Sequence, residues 1–103
     1  MGWASHYIEK LAAGETVKFR PHGNSMRPKI LSGQLCTVEP LRAPPKPGDI
    51  LLCTCHGRQF LHLCTAVKGP PESRQYQISN NQNHVNGWCS NRQIHGILVS
   101  VEP

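Results

Sequence analysis

The sequence predicts a small, mainly β domain of about six to seven short strands with one short N-terminal helix. Three observations carry this. The chain has 103 residues, which allows one domain over 1–103 with a modest core. Nine glycines and nine prolines punctuate it, so long regular elements have little room. Apolar residues, 38% of the chain, recur in short clusters along the whole length, which a disordered composition does not do.

Each element follows in order. Trp3, Tyr7, Ile8 and Leu11 stand near helical spacing and Gly14 stops the run, which predicts an amphipathic helix over 3–13. Val17 and Phe19 alternate with polar neighbours, a strand signal over 16–20. A second strand covers 34–39. Three prolines between 41 and 48 exclude a regular element there and leave a loop that delivers Asp49 into the next strand. Two apolar runs, 49–56 and 59–67, flank His56, Gly57 and Arg58 and read as a β-hairpin. Residues 68–73 form a turn with two prolines, and 76–79 a short strand. The asparagine-rich stretch 80–91 reads as a surface loop, and 94–101 as the last strand.

The formal net charge is +5, as much from scarce acid as from abundant base, since Asp49 is the only aspartate. Lys and Arg are scattered rather than blocked, so a nucleic-acid adaptor is the weakest reading of the charge. No secretory apolar region and no run of ~18 apolar residues occurs, so no membrane segment is expected. Five cysteines, an odd number without such a region, point to free thiols in a reducing compartment, the cytoplasm.

The chemistry concentrates in residues 19–33. Gly23 permits backbone angles that other residues resist, and Pro28 tolerates only a turn or a first helical turn. Together they hold Ser25 at an exposed corner, its N–H directed outward as an oxyanion donor. A serine at an ordinary strand-to-turn junction is the plainer alternative. A serine hydroxyl reacts only with a base in hydrogen-bond reach and donors for the oxyanion. The run from Gly23 through Asn24, Ser25, Met26 and Pro28 to Gly33 resembles the G-x-S-M-x-P-x-[IL]-x-x-G box of the LexA-like and type I signal peptidase-like serine peptidases. Lys46-Pro47-Gly48-Asp49-Ile50-Leu51 resembles that family's next segment, and the two in this order are more specific than either alone.

The resemblance covers roughly 17–68 and implies a strongly bent β core, peptide-bond hydrolysis or self-processing, and no cofactor. It implies Ser25 as nucleophile, with Gly23, Asn24, Met26 and Pro28 building the oxyanion and positioning frame. The general base falls on His62 within Gln59-Phe60-Leu61-His62-Leu63-Cys64, as in the histidine-using members. An imidazole accepts protons near neutral pH, and a strand histidine bonded to a carbonyl is the alternative role. Lys68 is a second candidate base. Ser–His members orient the histidine with an acid, yet no carboxylate occurs between Ser73 and Val101. Asn80 and Asn81 occupy the matching tract and are the candidates to orient His62, without the charge that stabilises imidazolium.

Cys53 and Cys55, two apart on a strand, face one side and could meet Cys64, His56 or His62. The spacing fits no common zinc module, so small buried thiols are expected and no metal. Ala13-Gly14 resembles the bond cut in LexA-like self-cleavage, but it precedes Ser25 too closely for the chain to loop back. The expected partners are a peptide or protein substrate and a protein that supplies targeting. The competing function is a catalytically inactive peptidase fold that binds peptides at a sheet edge.

Overall fold

The computed structural model describes residues 2–21, 23, 26, 27 and 29–103. Among them run helix α1 (Ser5–Ala12) and seven strands: β1 (Val17–Phe19), β2 (Leu35–Glu39), β3 (Ile50–Cys55), β4 (Arg58–Lys68), β5 (Gln75–Ser79), β6 (Val85–Ser90) and β7 (Ile94–Glu102). Single 3-10 turns cover Pro71–Ser73 and Asn91–Gln93. The mainly β class and the short N-terminal helix are as the sequence predicts.

All strands join one antiparallel sheet in the order β1-β2-β7-β3-β4-β5-β6. The ladder breaks register at Thr37/Val38, Leu52/Cys53, Cys64/Ala66 and Ile78/Ser79. An extra residue at such a break bends its strand and increases local twist. The sheet curls far enough that β6 packs on β3, although β4 and β5 lie between them.

That curl divides the apolar interior in two. One cluster gathers Leu11 of α1, Val17 and Phe19 of β1, Val38, Leu52 and Leu61, together with Met26 and Ile30. The other lies inside the curl and holds Leu51, Tyr76, Ile78 and Ile94 with Cys53, Cys55, Cys64 and Cys89. Neighbouring Leu51 and Leu52 feed opposite clusters because successive strand residues face opposite sides.

One element corrects the sequence reading. The stretch 80–91 is not a surface loop throughout, because Val85–Ser90 is strand β6, paired with β5 from Gln75↔Ser90 to Ser79↔Val85. Its polar residues form the tight turn and the open sheet edge. Gly87 breaks the apolar alternation for a packing reason: a β-carbon there would stand 2.6 Å from His56 Nε2 and 3.1 Å from Cys55 Sγ. The β3–β4 hairpin turns on His56 and Gly57, both at positive φ, as a two-residue turn with the strands' own twist requires.

Candidate active site

The described residues between Pro21 and Gly33 belong to a loop closed at its base, where Gly33 N donates to Pro21 O at 2.8 Å and Arg20 Nη1 to Gly33 O at 2.8 Å. Gly23 has φ +117°, the left-handed freedom expected of it, and its N–H donates to Ser32 Oγ at 3.2 Å. Met26 is 5% exposed and Ile30 4%, so both anchor the loop in the first core cluster. Ile30 N donates to Met26 O at 3.0 Å, one helical turn inside the loop. Ser25, Asn24 and Pro28, the expected nucleophile and two of its expected frame residues, lie outside the described residues.

His62 sits in the middle of β4, opposite Leu51 of β3, and is buried at 7% exposure. Its Nδ1 lies 2.6 Å from Asn86 Oδ1 on β6. An amide oxygen only accepts, so Nδ1 carries the proton and Nε2 the lone pair. The ring stacks on Phe60 at 4.7 Å between centroids. Burial lowers the His62 pKa from its ordinary value, partly offset by the bond to Asn86 and reinforced by nearby His84. The imidazole is therefore neutral at pH 7, the protonation state a base needs.

The asparagines divide the work differently from the sequence expectation. Asn86, not Asn80 or Asn81, holds the imidazole. Asn80 Oδ1 accepts from Gln82 N at 2.8 Å and His84 N at 3.0 Å, which closes the β5–β6 turn. Asn81 Nδ2 donates to Arg27 O at 2.8 Å and so ties that turn to the serine-bearing loop. One hairpin thus contacts both halves of the candidate site. Asn86 was hidden because its segment carried no strand alternation. The missing carboxylate was the one signal that some neutral side chain had to fill this role.

Lys68 is occupied elsewhere: its Nζ lies 4.2 Å above the Trp88 ring, at the far end of β4. The cysteines are all buried free thiols. Hydrogen bonds from Cys53 and, less strongly, Cys55 draw the Cys89 thiol down to about 7 against the effect of burial. Among the described residues no three His, Cys, Asp or Glu side chains are placed to hold a metal ion.

Beside His62 opens a cleft of about 540 Å³, lined by Trp3, Tyr7, Phe19, Arg20, Pro21 and Gln59–His62. Pro21 begins the serine loop, so the cleft runs between that loop, α1 and β4. No helix is long and apolar enough to cross a membrane among the described residues. No protein-family model, curated protein or solved structure matches the chain significantly.

Proposed function

We propose that the chain is a serine peptidase of the LexA-like and signal peptidase-like type, with Ser25 as nucleophile and His62 as general base. The observation that carries this reading is the buried, neutral His62, fixed through Nδ1 by Asn86 at 2.6 Å and facing a cleft that the serine loop helps to line.

The chemistry is acyl transfer. His62 Nε2 takes the Ser25 hydroxyl proton as Oγ attacks the scissile carbonyl, and the oxyanion is met by backbone N–H groups of the serine loop. The tetrahedral adduct collapses to an ester on Ser25, and the amine leaves with the proton from His62. Water, deprotonated by the same imidazole, then splits the ester and regenerates Ser25. Asn86 fixes the tautomer for every step but offers no negative charge to the imidazolium, so turnover is slow beside a carboxylate-assisted triad.

That same neutrality favours a second reading, a catalytically inactive fold that retains the cleft to bind peptides. A fluorophosphonate probe separates the two. The peptidase reading expects one covalent adduct, mapped to Ser25 and lost in Ser25→Ala. The binding-module reading expects peptide capture with no adduct at any pH.

A further inference from the structure

The cleft beside His62 has an unusual lining for so small a chain. Of two Phe, two Tyr and two Trp, both Phe, one Tyr and one Trp face it. Tyr7 stacks on Phe19 at 4.7 Å, and Trp3 meets Phe19 edge-on at 5.5 Å, which builds one wall. Phe60, stacked on His62, builds the other. Trp3 is 51% exposed, so its ring is a surface that a ligand can still cover.

The aromatic wall is held in place. Trp3 Nε1 donates to Gln59 O at 3.0 Å, Ala4 N donates to Gln59 Oε1 at 2.6 Å, and Gln59 Nε2 donates to Ser5 Oγ at 3.2 Å. Gln59 therefore pins the start of α1 to β4 and fixes the width of the cleft. A second depression shares Trp3, Gln59 and Phe60 with it and continues to Arg58 in the hairpin turn. The combined groove carries Arg20 and Arg58, both exposed, and no carboxylate.

We propose that this groove selects peptides with one aromatic side chain beside the scissile bond and an acidic residue next to it, an inference that rests on the peptidase reading. A pocket of about 540 Å³ walled by rings accepts a phenyl group with offset and edge contacts, while a methyl group leaves it wet. Two unopposed guanidinium groups favour a carboxylate and repel a lysine.

The test measures binding to the Ser25→Ala protein, which cannot turn the ligand over, by NMR titration. The probes are acetyl-Glu-Phe-Ala-Ala-amide, its Phe→Ala analogue and its Glu→Lys analogue. The Phe peptide should bind at least about tenfold tighter than the Ala analogue, with shifts centred on Trp3, Tyr7 and Phe60. The Lys analogue should bind about threefold weaker or worse, a preference that Arg58→Glu reverses. Trp3→Ala should erase the Phe advantage. Because Trp3 also anchors α1, the exposed Arg58→Glu variant keeps the test open should Trp3→Ala unfold. Equal affinity for the Phe and Ala peptides, or shifts away from the cleft, would overturn the selectivity even where Ser25 labels normally. Tight Phe-peptide binding without Ser25 labelling supports the groove and rejects the peptidase.

Discussion

The serine loop and the histidine strand, the two halves of the proposed site, are held by different means. His62 belongs to the longest described strand, where it pairs with Leu51 of β3 and directly precedes Leu63, at which the ladder to β5 begins. Among its described residues the serine loop joins no ladder. The contacts that tie its described residues to the rest of the fold include the base closure at Pro21, Gly33 and Arg20, the buried anchors Met26 and Ile30, and the Asn81 bond to Arg27. A group on a paired strand keeps its ladder when one side-chain contact is lost, whereas a loop outside the ladders depends on its side-chain anchors. The β5–β6 hairpin serves both, through Asn86 on its strand and Asn81 in its turn.

The largest effect falls on chemistry at the rigid side. His62→Gln removes the proposed base and should slow fluorophosphonate labelling of Ser25 by about 10²–10⁴-fold. Unchanged labelling would show that another group deprotonates the serine. Met26→Ala tests the other side. Removing a side chain 5% exposed from the first cluster should cost about 2–5 kcal/mol in denaturant unfolding. It should also depress labelling beyond what the unfolded fraction explains, because the loop loses an anchor. A loss below about 1 kcal/mol would mean that the loop is not fixed through Met26.

These residues differ in how legible they were. Of the serine box, Gly23 at positive φ and Met26 as a buried anchor are as its residue types suggest. The resemblance names His62, on the second strand of the expected hairpin, and it does lie on β4 of that hairpin. The strand boundaries came within a residue or two because apolar runs and turn residues mark them. Asn86 and β6 were not readable. An edge strand buried on one side only, interrupted by Gly87 for His56 and Cys55, shows no alternation, and its pairing is long-range. The aromatic cleft was equally hidden, since Trp3 and Phe60 are far apart in sequence and Gln59 ties the start of α1 to the strand that carries Phe60.

A smaller effect separates the two roles of the β5–β6 hairpin. Asn81→Ala removes one partly exposed hydrogen bond and should cost about 0.5–1.5 kcal/mol. Labelling should fall while the His62 titration, followed by NMR, stays where it was. A shifted titration would mean that Asn81 acts on the imidazole as well.

The central claim is that Ser25 is activated by a neutral His62 held by Asn86, and the pH profile of labelling in wild type and Asn86→Asp tests it most directly. Burial lowers the His62 pKa, so wild-type labelling should rise with pH through a midpoint below that of a free imidazole and then level off. Folding stability should follow the same sign, full above the unfolded value of about 6.5 and lost as pH falls through the folded one. In Asn86→Asp an anion faces the imidazolium, so the midpoint should move up and the plateau rate should increase. A midpoint that ignores Asn86→Asp, or an adduct that persists in Ser25→Ala, would contradict the account.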